Sequence, residues 1–320
     1  MTAKQRERVR FRAAPAAGLL LLCFFWSVGS LRSDLFPDLV PSSLPPMERQ
    51  AAPFAMLAVA AALFSVLRRA EWPDRPQLLA SVLVGLGLFV APAVSFSIAR
   101  EWVGNLTQVA LFSITPVFAI VFEPYIGSRD FVLPIRGGLL AALAAVAGTL
   151  CVIPAGAPTS IRTGSAFLAV ILAAACVAAA NCLAVKVAAE STRESFAPLV
   201  TIAVTAAATG LAVLGALTER AIWHWHTIAP ELAWSAAAEL PGLLLLFWLM
   251  RRMSAVRMTT RFVLTPLMAS LIGLALLRPT VELRAGAGLL LMAAGAGWVL
   301  FAPQDIPESE TSPLQLNRLS

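Results

Sequence analysis

Ten apolar stretches run through this chain in two sets of five. They lie at roughly 15–33, 50–67, 78–99, 104–123 and 136–153, then at 165–185, 198–217, 233–250, 254–277 and 285–302. A unit of five spans begins and ends on opposite sides of a bilayer, so a second copy of it must sit upside down. Inverted repeats of this kind are the architecture of many secondary transporters. The expected fold is therefore all-α integral membrane, with ten transmembrane helices as two inverted five-helix repeats over 15–153 and 165–302. Residues 1–14 are expected to form a cytoplasmic basic N-terminus. The polar segment 303–320 has no periodicity and is expected to be a disordered cytoplasmic tail.

Composition agrees. Of 320 residues, 59% are hydrophobic and 13% charged, too little charge to cover a soluble domain of this length. Ten spans of about 20 residues leave only short loops. The net charge of +6 does not point to nucleic acid, because the basic residues fall between apolar runs. The basic stretch before Gly18–Ser30 resembles the start of a signal peptide, but no Ala-x-Ala cleavage site follows, and the segment is expected to stay as the first span. With the N-terminus inside, 17 of the 24 Lys and Arg residues fall on the cytoplasmic side and 7 outside. Both termini are thus expected to be cytoplasmic, in a multi-pass inner-membrane protein. Trp102, Trp223, Trp225 and Trp234 fall near outer ends, and Trp72, Trp248 and Trp298 near inner ends, as headgroup-seeking rings do. The cysteines, Cys23, Cys151, Cys176 and Cys182, lie in apolar runs with no CxxC pair and are expected to be small core residues.

A faint internal repeat supports the two sets. Sliding 104–116 onto 254–266 aligns Phe112 with Phe262, Thr115 with Thr265 and Pro116 with Pro266. An Arg-initiated, Gly- and Ala-rich run follows each copy, and a proline recurs in the preceding spans as Pro92 and Pro241. Gly137, Ala141, Ala144 and Gly148 make a small-residue stripe that implies close helix packing.

These elements resemble the EamA-type members of the drug/metabolite transporter superfamily over about residues 15–302. The segments that carry the likeness are FFWSVGSLR at 24–32, Arg49, the hairpin 98–122 and its second copy at 253–279. That family's usual Gly-Glu after the fourth and ninth spans is replaced by Gly127-Ser128-Arg129 and Leu277-Arg278-Pro279. The resemblance implies alternating access and a small metabolite, amino acid or drug-like solute as cargo, with export the expected direction. Its partners would be that solute, the lipid bilayer and protons as a candidate coupling ion, in a monomer or a homodimer. No cofactor is implied.

Polar groups inside a membrane usually face a cavity or a partner helix. Glu123 lies seven residues after Pro116, nearly two helical turns, and so on the same face. It could exchange a proton or contact a cationic group, or it could be an interfacial carboxylate pairing with Arg129. Glu239, before Pro241, could act in the same way or simply be solvated at the outer interface. Arg257 and Arg261 share a helical face, either as an anion-binding pair or as snorkelling anchors. Gln108 and Thr115 form a polar stripe that could line a cavity or make interhelical hydrogen bonds, as could Asn181. Trp26 could stack on substrate or pack. Pro116 and Pro266 are the expected conformational hinges.

Other classes find less support. There is no HExxH, no GxSxG and no P-loop, so neither a membrane protease nor an ATP-driven pump is signalled. His224 and His226 are the only histidines and lack a third metal ligand nearby, so no metal site is expected. A polytopic membrane enzyme and a non-transporting receptor or scaffold are the alternatives to a carrier.

Overall fold

The computed structural model describes residues 3–31, 46–127, 135–153, 158–192, 194–219, 225–277 and 282–301, and among them it is all helix and turn, with no strand. The tail at 303–320, His224, the His226 side chain, and Arg32, Ser128, Arg129, Arg278 and Pro279 lie outside what is described.

The first half comprises α1 (Ala3–Ser30), α2 (Pro46–Leu67), α3 (Arg75–Gly85), α4 (Ala91–Ala99), α5 (Asn105–Phe112), α6 (Thr115–Ile126) and α7 (Ile135–Val152). The second comprises α8 (Ile161–Glu190), α9 (Phe196–Thr218), α10 (Trp225–Trp234), α11 (Leu240–Met250), α12 (Ala255–Thr259), α13 (Arg261–Leu277) and α14 (Leu283–Phe301). Three helices, α3, α8 and α12, start at side-chain caps. Asp74 accepts from the Gln77 amide, Ser160 from Thr163 and Ser254 from Arg257.

Eight helical segments are long and apolar enough to cross a membrane. The first and fifth expected spans correspond to shorter apolar helices, Ala14–Ser30 and Gly137–Val152. The basic N-terminal stretch is part of α1, which begins at Ala3. Large apolar side chains such as Val59, Leu63, Leu140 and Leu290 are exposed on the outside, while Gln108, Asn181 and Arg261 are buried. That inversion suits a bilayer as solvent. At 30 residues, α8 is roughly 45 Å long, more than a hydrocarbon core requires.

Irregularities recur at matching places. A π-turn at Leu86–Val90 joins α3 to α4, and another at Ser235–Glu239 joins α10 to α11. In each, the first amide of the next helix donates five residues back, Ala91 to Leu86 and Leu240 to Ser235. Pro92 and Pro241 follow immediately. Each lacks an N–H and crowds the carbonyl four residues before it, so the wider turn relieves the conflict.

The expected fourth and ninth spans are also broken, between α5 and α6 and between α12 and α13. At both breaks hydroxyls donate to carbonyls three residues back: Ser113 to Ala110 and Thr115 to Phe112, then Thr259 to Val256 and Thr260 to Arg257. The two prolines sit differently. Pro116 is the second residue of α6, immediately after its break, whereas Pro266 lies inside the continuous α13, six residues after Thr260.

Contacts recur between the halves as well. α2 lies along α9, and α7 along α14. α1 packs on α11 and α13, and α8 packs on α4 and α6. The α7–α14 seam uses the small-residue stripe: a Cβ on Gly148 would lie 2.6 Å from the Gly288 carbonyl oxygen, and one on Gly288 would lie 2.7 Å from that of Gly148. Backbones this close leave no room for a side chain at either position unless the two helices shift apart.

Candidate functional site

The break before α13 delivers Arg261 into the protein interior. Its side chain is 2% exposed, so it does not snorkel to an interface. Nη1 donates to Asn181 Oδ1 on α8 at 2.9 Å and to the Met258 carbonyl at 3.1 Å. The guanidinium stands 5.5 Å from the centre of the Trp26 ring on α1 and 4.6 Å from that of Phe262. Both distances are within reach of cation–π attraction. Its Nε is buried with no hydrogen-bond partner. No carboxylate among the described residues forms an ion pair with Arg261, so it carries its charge without a counter-ion beside it.

The surroundings fix this arrangement. Asn181 is fully buried, and its amide nitrogen donates to the Val177 carbonyl at 2.7 Å, which turns its oxygen toward Arg261. Trp26 fits against α11 because residue 242 is glycine: a Cβ there would lie 3.2 Å from the indole nitrogen. Ser27 Oγ lies 2.9 Å from the Thr265 carbonyl and 2.7 Å from that of Cys23, and this contact ties α1 to α13. Phe112 and Phe262, aligned in the two halves, meet with ring centres 5.9 Å apart. Helices from both halves thus surround one cation.

Trp26, Asn181 and Arg261 come together; the other candidates do not join them. Arg257 is separated from Arg261 by the Thr260 break and lies within electrostatic reach of Glu123 instead. Glu123 is buried on α6, facing the Ala255 backbone amide and Arg257, with Cys182 of α8 also close. This second constellation joins α6, α8 and α12. Gln108 and Thr115 are buried but bonded locally, Gln108 to the Val103 carbonyl at 2.7 Å and Thr115 to that of Phe112 at 2.6 Å. Glu239 accepts from Ser235 Oγ at 3.1 Å.

One buried acid falls outside the expected spans. Glu231 on α10 is 3% exposed, and Arg49 Nε on α2 lies 4.0 Å from it. The expected eighth span starts at 233, while the helix starts at Trp225. The spacing Glu231, Ser235, Glu239 was the available signal. No group of three or more potential metal ligands occurs among the described residues.

Taken together, the fold and the buried polar groups define a polytopic α-helical architecture compatible with a multi-pass membrane protein. No family model and no curated protein matches the chain. A solved structure, described only as a crystal structure of a protein, shares the fold with a TM-score of 0.69 at 16% identity, over 91% of this chain and 98% of its own. At that identity the likeness concerns the fold alone.

Proposed function

We propose that this chain is a secondary transporter that moves a small solute bearing an anionic group, by alternating access between two inverted five-helix repeats. The observation that carries the reading is Arg261: a buried guanidinium with no carboxylate beside it, located at a helix break and enclosed by helices from both halves. A charge inside a membrane protein is costly and by default marks a pathway or binding site. A solute carboxylate or phosphate could approach the unpartnered Nε and supply the missing counter-charge. The aromatic faces of Trp26 and Phe262 would hold the guanidinium in place while it waits.

Three further features support a two-fold inverted design. The π-turns precede Pro92 and Pro241, hydroxyl-tied breaks interrupt both the fourth and ninth spans, and the contacts of α1 correspond to those of α8. Such non-helical turns at membrane depth are tolerated where they are buried in protein, and carriers use them to build sites. In this reading the chain crosses the inner membrane ten times with both termini cytoplasmic, exports its solute, and uses Glu123 facing Arg257 as the coupling element.

The test is solute flux in proteoliposomes, with and without an imposed proton gradient, for the wild type and Arg261→Gln. Gradient-dependent flux that requires Arg261 is expected. Absence of flux for every small anion tried would overturn the reading.

A further inference from the structure

A second basic feature lies away from Arg261. α1, α2, α9 and α11 border a groove of about 1010 Å³ on the outside of the bundle. Its walls are apolar, with Leu57 and Phe64 from α2, Val200 from α9 and Leu244 from α11. Arg251 and Arg252, in the turn just after α11, also line it. Each is braced on an aromatic ring, Arg251 4.9 Å from the centre of Phe196 and Arg252 4.7 Å from that of Trp248. Arg68 stands 5.5 Å from the centre of the Phe64 ring, which adds a third cation beside the groove. All three arginines are exposed, and among the described residues none pairs with a carboxylate.

We infer that this groove binds an anionic phospholipid, with acyl chain along the α2–α11 walls and phosphate against Arg251 and Arg252. The two halves of the site argue for one amphipathic occupant. A soluble anion would satisfy the arginines and leave the apolar groove unused. A neutral lipid would fill the groove and leave like charges unneutralised. A second copy of this chain packed about a two-fold axis would bring the same cations face to face. Basic clusters between membrane helices at the interface recognise anionic headgroups for these reasons. Arg261, Trp26, Asn181 and Phe262 do not line this groove, so lipid binding there does not rest on the transport reading.

Native mass spectrometry of the purified full chain, in detergent mixed with equal amounts of phosphatidylglycerol and phosphatidylcholine, tests it. The wild type should retain phosphatidylglycerol preferentially. Arg251→Gln with Arg252→Gln should reduce that preference by roughly fivefold for each arginine removed. Ala61 also lines the α2 wall, so Ala61→Trp, which fills the groove without changing charge, should lower retention of both lipids. Equal retention of the two lipids by the wild type would overturn the inference, whatever the variants do. So would unchanged preference in the double variant, or displacement of phosphatidylglycerol by inorganic phosphate alone.

Discussion

Arg261 Nη1 and Asn181 Oδ1, eighty residues apart in sequence, are joined by a 2.9 Å hydrogen bond that holds a buried cation against a neutral acceptor. An amide oxygen orients the guanidinium without neutralising it. In the proposed carrier, that choice of partner would leave the charge to a solute. Asn181→Asp would place a carboxylate where the amide stands and complete an internal salt bridge. The variant should be at least as resistant to thermal unfolding as Asn181→Ala, yet transport no anionic solute. Measuring melting temperature and flux on the same preparations checks both parts; wild-type flux in Asn181→Asp would contradict the account.

Glu123 offers the coupling test. Its carboxylate faces the Ala255 amide and Arg257 on α12, so gain or loss of a proton would alter how α6 holds α12. Glu123→Gln imitates the protonated form. Exchange of solute for solute should survive, while accumulation driven by a proton gradient should be lost. Identical pH profiles for uptake by the two proteins would remove Glu123 from the coupling.

The helix breaks differ in what maintains them. Pro116 starts α6 directly after its break, whereas the other break is held at Thr259 and Thr260, with Pro266 inside α13. Pro116→Ala should therefore slow turnover more than Pro266→Ala, and Thr260→Val should slow it as well. Rates from proteoliposomes, normalised to inserted protein, decide the order. Equal effects of the two proline substitutions would argue against it.

Gly148 and Gly288 set the closest approach of α7 to α14. A side chain at either position would meet a carbonyl oxygen of the other helix. Gly148→Leu is expected to destabilise the fold by about 1–3 kcal/mol, as overpacking does. Thermal unfolding in detergent reads this out, with Gly137→Leu as the control because a Cβ there has room.

Much of this was legible in the sequence, and the physics says which part. Apolar runs long enough to cross a bilayer announce helices regardless of tertiary context. Pro92 and Pro241 were legible only as a recurring pair; the π-turn before each depends on how the preceding carbonyls are relieved, which the residue pattern does not show. The small-residue stripe announced close packing, because small side chains let backbones approach, but α14 as its partner is a tertiary fact. Helical spacing misled at Arg257 and Arg261: four residues share a face only in an unbroken helix, and the turn at Thr260 sends the two cations to different partners. Glu231 was missed because charged residues near an end of an apolar run pull the expected boundary inward. The meeting of Trp26, Asn181 and Arg261 depends on three helices distant in sequence, so no local pattern could reveal it.

The most direct test of the central claim is counterflow in proteoliposomes with a panel of small carboxylates and their matching amides. The account predicts exchange of at least one carboxylate, little exchange of its amide, and a loss of roughly 30-fold or more in apparent affinity for Arg261→Gln, the scale expected when a buried charge pair loses one partner. Carboxylate exchange by Arg261→Gln at the wild-type affinity, from protein that inserts and folds normally, would contradict it.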